Sequence, residues 1–369
     1  MSTPLRLLVA TRKGLFVLHR AASAATWEIE RHVFPGENIT QVLADPRDGR
    51  WYAALNLGHF GVKLQVSADA GARWSELPVP CYPEGAELAT GDGKPAQPAT
   101  LKLLWALAAG GADQPGRLWA GTIPGGLFRS DDRGASWTLV HALWDQPSRP
   151  RWFGGGYDAP GIHSIAVDRR DSRRLTVAIS CGGVWYSEDD GSSWAVRTQG
   201  MYAAYMPPEQ REDPTIQDPH CLVQCPAAPD HLWVQHHNGA FASDDGGLHW
   251  RELAVPPSVF GFAVAGHPAD PHTAWFVPAV KDECRIPVNG RLVVTRTRDG
   301  GKRFDVLSAG LPDTASYDLI YRHGLAISAD ASWLAMGSTT GGVWLSNDLG
   351  EHWQALPARL PPVHALRFV

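Results

Sequence analysis

Short apolar runs alternate with polar turns along this chain, and the turns repeat one spelling. Val62-Lys63-Leu64-Gln65-Val66, Gly126-Leu127-Phe128, Gly183-Val184-Trp185, Gly239-Ala240-Phe241, Leu292-Val293-Val294 and Gly342-Val343-Trp344 each lead into such a turn. Strict copies of Ser-x-Asp-x-Gly-x-x-Trp occupy 67–74, 130–137, 187–194, 243–250 and 346–353. A looser copy at 297–304 keeps Asp299 and Gly301 and ends on Phe304. Strand, tight turn and aromatic together predict a β-hairpin. The Gly takes positive φ, the Asp accepts the amide hydrogen bonds of the turn, and the Trp packs the corner against its neighbours.

The closing aromatics stand at 74, 137, 194, 250, 304 and 353, so successive units are 63, 57, 56, 54 and 49 residues long. That period fits a four-stranded propeller blade. In one unit His163 to Val167 reads as strand A, Leu175 to Ile179 as B and Gly183 to Tyr186 as C, with D beginning at Trp194. The two ends are complementary. Leu7 to Ala10, Gly14 to Val17 and Trp27 to Ile29 read as B, C and D, and Pro362 to Phe368 reads as a lone A. Joined, they complete an all-β, seven-bladed propeller of four-stranded antiparallel blades, a single domain over 1–369 with no exposed sheet edge.

Composition narrows the partners. The net charge of −5 and the 19% of charged residues give no basic field for nucleic acid. No run of about 18 apolar residues exists to span a membrane. Five cysteines without metal-finger spacing, and an N-terminus lacking an apolar signal region, lead us to expect a reduced cytoplasmic protein. Cys221 and Cys225, four residues apart on one strand, are about 13 Å apart, too far for a disulfide. Cys181 next to a histidine would make a nucleophile pair, against the plainer reading of buried, inert thiols.

The repeated turns resemble the Asp-box (BNR) repeats of sialidase-like and sortilin-type propellers, over nearly the full length. Thr11-Arg12-Lys13-Gly14-Leu15-Phe16, Asn56-Leu57-Gly58-His59-Phe60-Gly61 and Val280-Lys281-Asp282-Glu283 resemble bacterial BNR-repeat proteins labelled glycosyl hydrolase. The resemblance implies the propeller fold and says little about chemistry. Sialidases carry an Arg-Ile-Pro motif near the N-terminus, three arginines for a carboxylate, and a Tyr–Glu pair. Here Arg285-Ile286-Pro287 lies far along the chain, and the other parts have no matching motif.

Strand direction locates the chemistry. The C–D turns are the repeats and share a face with the short A–B turns, so that face is architecture. The opposite face carries long D–A loops, 144–161 and 200–219, and B–C loops at 56–59, 236–238 and 281–285. Irregular loops of this length are usually functional. Counting five back from the usual Asp at the end of strand A places Thr40, Lys102, His163, His220, Phe262, Asp318 and His364 around the channel mouth. His163, His220 and His364 are therefore candidate ligands for a divalent metal (Zn, Fe, Mn or Cu), with His236, His237 and His59 just above them. The bland alternative is imidazoles bonded to backbone or water.

Asp282, Glu283 and Asp318 are the candidate catalytic carboxylates, and Lys281 and Arg285 the flanking cations. The same loop reads equally as a solvated set of internal ion pairs. Lys13, Asn56, His59, Lys102, Tyr157, Asp158, His236, His237 and Tyr317 are candidate substrate-binding groups. The expectation is a hydrolase, glycosidase-like or metal-assisted, acting on a small polar or carbohydrate-like substrate. A non-catalytic propeller that binds a peptide, glycan or assembly partner on the same face is the alternative.

Overall fold

A computed structural model describes residues 5–21, 26–88 and 95–369. Residues 1–4, which entered the reading of the N-terminus, lie outside them. Seven four-stranded antiparallel sheets form the ring. Blade 1 takes its inner strand from the end of the chain, Val363–Phe368, and its others from the beginning, Leu5–Thr11, Gly14–Arg20 and Glu28–Val33. Blades 2 to 7 start at the inner strands Ile39–Ala44, Leu103–Ala109, Gly161–Val167, Pro219–Gln224, Gly261–Gly266 and Leu325–Ile327. The closure expected from the two chain ends is therefore present. Among the described residues no helix is long and apolar enough to cross a membrane.

Both faces of each sheet are covered by the neighbouring blades, which is why strands such as Trp51–Asn56 and Leu175–Ser180 are buried along nearly their whole length. The core is divided accordingly. Seven apolar clusters lie between adjacent blades, one per junction; Leu43, Tyr52 and Leu64 of blade 2 meet Leu104, Leu118 and Phe128 of blade 3 in one of them. Burial of this kind contributes roughly 25 cal/mol per Å² of apolar surface and is the main force closing the ring.

The repeated turns have the predicted geometry. In the copy beginning at Ser187, Asp189 Oδ1 accepts the Ser193 amide at 2.8 Å, and Ser187 Oγ accepts the Gly191 amide at 2.9 Å. Gly71, Gly134, Gly191, Gly247, Gly301 and Gly350 all sit at φ between 80° and 89°. Trp137 and Trp250 donate their indole hydrogens to Pro78 and Arg197 of the preceding blade. Arginines add further ties on this face: Arg170 bridges Asp168 and Asp230, and the buried Arg296 bridges Asp305 and Glu351.

Candidate functional site at the channel mouth

Six of the seven inner strands slip register at this level, and that irregularity builds the mouth. The pairing register slips across Thr40, Trp105, His163 and His220, and again across Phe262-Ala263. In four of these strands the bulged side chain reaches sideways to the backbone carbonyl just before the next blade's bulge. Thr40 bonds to Leu104 at 3.0 Å, His163 to Pro219 at 2.7 Å, His220 to Gly261 at 2.7 Å and His364 to Ile39 at 2.9 Å. This belt corrects the expected metal ring. His163, His220 and His364 each spend a ring nitrogen on a neighbouring blade, and the three do not form a common ligand set.

Two positions of the expected ring also move. Blade 3 presents Trp105 there rather than Lys102. In blade 7, the Ser328 amide bonds to the Trp333 carbonyl as Asp45 does to Arg50, so counting five back gives His323 rather than Asp318. Tyr321, Arg322 and His323 run into the channel itself. His323 Nε2 lies 2.8 Å from the His163 carbonyl, His323 Nδ1 lies 3.3 Å from Gln41 Nε2, and Cys221 Sγ lies 3.5 Å from the Arg322 carbonyl. The Arg322 guanidinium stands over Trp105 at 4.7 Å and Phe262 at 5.3 Å. It is buried, its Nε has no hydrogen-bond partner among the described residues, and burial lowers its pKa.

Beside Arg322 lies the densest group of buried titratable side chains at the mouth. Asp218 Oδ2 is 3.4 Å from His220 Nε2 and 3.4 Å from His237 Nδ1. The other carboxylate oxygen accepts from Ser180 Oγ and the Cys181 amide, each at 3.2 Å. Cys181 adopts φ 46°, in the left-handed region, which turns its amide toward the carboxylate. Gly155, from the loop preceding blade 4, lies over the cluster. A Cβ there would stand 2.6 Å from Ser180 Oγ and 2.9 Å from Asp218 Oδ2.

Burial alone would raise the Asp218 pKa, but His220, His237 and Arg322 outweigh it and hold the carboxyl well below its usual range. Burial lowers His220 despite the pull of Asp218. The cluster is thus an ionised carboxylate against imidazoles, with Asp218 and His220 buried and His237 partly open to solvent. Burial pushes the Cys181 thiol far up, so the inert-thiol reading fits and a Cys181 nucleophile does not. His236 lies behind the cluster, its Nε2 accepting the Asp218 amide at 3.0 Å, and burial lowers its pKa to about 3.

Of the expected substrate-binding residues, Asn56, Lys102 and Tyr157 share one cleft of about 350 Å³ between blades 2 and 3. A row of ring contacts joins this cleft to the cluster. Tyr157 meets Trp105 at 5.2 Å, Arg322 covers both Trp105 and Phe262, and Phe262 stacks on His220 at 4.4 Å. Lys13, His59, Asp158 and Tyr317 are exposed, and His59 packs on Phe60.

The expected catalytic carboxylates are engaged elsewhere. Asp318 accepts hydroxyls from Ser316 and Ser338 at 2.7 Å each and from Thr340, which makes it the anchor of its loop. Asp282 is held by Arg285 at 2.5 Å, and Glu283 by Lys281 at 3.5 Å, the internal ion pairs of the plainer reading. Sequence reasoning missed Asp218, Arg322 and Trp105. For the Arg322 segment a signal existed, since Ser328-Ala329-Asp330 is the A–B turn from which counting five back reaches its neighbour His323.

No family model matches the chain. It is 25% identical, over 87% of its length, to a probable oligoxyloglucan-reducing end-specific xyloglucanase of Neosartorya fischeri, and it spans 39% of that protein. Its fold is similar to that of an ancestral GH74 enzyme (TM-score 0.58, 16% identity), covering 96% of this chain and 40% of that one. It is also similar to YCF48 from Cyanidioschyzon merolae (TM-score 0.54, 13% identity), covering 87% of this chain and 85% of the other. A structure of YCF48 bound to D1 peptide matches with TM-score 0.52 and 14% identity, covering 93% and 96%. The chain therefore spans about two fifths of the glycosidase relatives and nearly all of YCF48.

Proposed function

We propose that the chain is a hydrolase that cleaves a small, carbohydrate-like substrate at the loop-bearing mouth of the propeller. The observation that carries this reading is the Asp218–His220–His237 cluster, an ionised carboxylate with two imidazoles on one of its oxygens. Such a group can draw a proton from water where bulk solvent is largely excluded, either directly or through a cation that it holds. Asn56, Lys102 and Tyr157 line the adjoining cleft and offer an amide, an ammonium and a ring to a hydroxylated ligand. Arg322 supplies positive charge beside the reacting group, where low polarity strengthens its effect on the negative charge that develops on the departing oxygen. The distant similarity to a xyloglucanase supports the choice of a glycosidic bond. Hydrolysis there joins the oxygen of water to the anomeric carbon as the bond from that carbon to the departing oxygen breaks; the cluster takes one proton from the water, and the departing oxygen receives one from solvent at the open mouth.

A second reading has its own support. All five large exposed aromatics among the described residues, Phe60, Phe153, Tyr157, Tyr205 and Tyr317, lie in loops of this same face. YCF48, one of whose structures carries a peptide, matches the chain end to end. A non-catalytic binding propeller would use those rings as anchors. The deciding experiment incubates the protein with xyloglucan oligosaccharides and a panel of aryl glycosides and measures new reducing ends or released phenol. Turnover supports the hydrolase. Saturable binding of intact sugar or peptide without cleavage supports the binding propeller.

A further inference from the structure

We propose that Asp218 Oδ2, His220 Nε2 and His237 Nδ1 together hold one first-row divalent metal ion, zinc in the first instance. This site differs from the ring of His163, His220 and His364 expected from the sequence, and it shares only His220 with it.

Three observations converge on it. Both nitrogens lie 3.4 Å from Asp218 Oδ2 and the three donor atoms lie within 4.8 Å of one another, so shifts of a few tenths of an ångström bring all three to the ordinary zinc–nitrogen and zinc–oxygen distances of about 2.0–2.2 Å. The tautomer of His220 is fixed by its other nitrogen. Nδ1 lies 2.7 Å from the Gly261 carbonyl and so carries the ring hydrogen, which leaves a lone pair on Nε2 aimed at the carboxylate. Two lone pairs facing each other at 3.4 Å repel, and a cation between them relieves that repulsion. A shared proton would draw them to the 2.7–2.9 Å typical of charge-assisted hydrogen bonds, and both contacts to Asp218 are longer than that.

The surroundings fit a metal site as well. His220 donates its second nitrogen to a backbone carbonyl, and the remote oxygen of Asp218 is held by Ser180 and the Cys181 amide, the kind of outer support that orients ligands. The two buried ligands are rigid, and the third, His237, faces partly into solvent. That leaves coordination positions open toward the mouth, as in sites that bind water or substrate on the metal. Two imidazoles and one carboxylate suit zinc or ferrous iron more than calcium or magnesium. Arg322 makes no ion pair with the carboxylate, since its guanidinium lies over the faces of Trp105 and Phe262.

The test uses the full chain, freed of any histidine tag, stripped with a chelator, then incubated with Zn²⁺ or Co²⁺ and desalted. Metal per chain is counted by elemental analysis, and the cobalt form is read by its visible absorption. No substrate is involved, so a protein that cleaves sugars but holds no metal fails this inference alone. We expect close to one equivalent in the wild type and in His352→Ala, an exposed histidine in the repeated turn of blade 7 on the opposite face. His237→Ala, chosen because its ring is partly exposed and its loss leaves the core packed, should bind about 100-fold more weakly or worse. Wild-type protein retaining less than about a tenth of an equivalent overturns the proposal. So does a folded His237→Ala that binds as tightly as the wild type. The wild-type stoichiometry decides even if a variant fails to fold.

Discussion

His323 of blade 7 donates its Nε2 hydrogen to the backbone carbonyl of His163 in blade 4, 2.8 Å away and on a non-neighbouring blade. Its Nδ1 accepts from Gln41 of blade 2 at 3.3 Å. Both bonds are made by the neutral ring, and together they pin the segment that carries Arg322 into the channel.

A pH dependence follows from that arrangement. Burial lowers the His323 pKa from 6.5 to about 4, and the charges of Arg322 and Arg367 push the same way. Between those values the unfolded chain binds a proton that the folded chain does not. Stability is therefore complete above about pH 6.5 and falls as pH drops toward 4, by up to about 1.4 kcal/mol per pH unit from this residue. His323→Gln should make the plot of unfolding free energy against pH shallower by that amount. Parallel plots from urea titrations of the two proteins would contradict the assignment.

Arg322 separates chemistry from stability. Its charge is buried with an unpartnered Nε, and its flat group fills the space between two rings. Replacing a buried ion by an apolar group of similar volume is often neutral or stabilising. Arg322→Met should change the free energy of unfolding by less than about 1.5 kcal/mol while lowering sugar turnover or binding at least tenfold. A large destabilisation with unchanged ligand handling would show that the arginine serves only packing.

The opposite face should behave in the reverse sense. Ser187 Oγ satisfies the Gly191 amide at 2.9 Å and donates to Asp189. Ser187→Ala should cost about 1–2 kcal/mol, as loss of comparable side-chain caps does, with no effect on ligand binding. Denaturant titration alongside a binding assay checks both halves.

Arg296 tests the ties between blades. It is buried, and it reaches the Leu349 carbonyl and Glu351 of the next blade at 3.0 and 2.6 Å. Its carboxylate partners are half exposed and rehydrate once it is gone, so Arg296→Met should cost about 2 kcal/mol rather than the larger penalty of a fully buried broken pair. A neutral result would mean that apolar packing alone holds blades 6 and 7 together.

Much of the architecture was legible because a turn is a local object. Ser187, Asp189 and Gly191 bond within five residues, so their spelling in sequence is their geometry. The complementary ends, Leu7 to Ala10 and Val363 to Phe368, were readable for the same reason, each being a recognisable fraction of a repeated unit. The site was less legible because it depends on register. Counting five back found His163 from Asp168 and His220 from Cys225, whose amides close the A–B turn in the usual way. Blade 3 ends at Gly110 and blade 7 at Ser328, so the same count landed on Lys102 and Asp318 instead of Trp105 and His323. Asp218 gave no signal of its own, since nothing in 216–219 says that a carboxylate will be folded beneath Gly155 and between two imidazoles. Asp282 and Glu283 drew attention by density of charge, which on an exposed loop is mostly satisfied by its own neighbours.

The central claim is that hydrolysis occurs at Asp218 and its two imidazoles. Turnover of whichever glycoside the panel identifies, measured for wild type and for Asp218→Asn with folding checked by circular dichroism, bears on it most directly. The account predicts a loss of at least about 100-fold in kcat for a folded variant. Equal rates in the two proteins would contradict it.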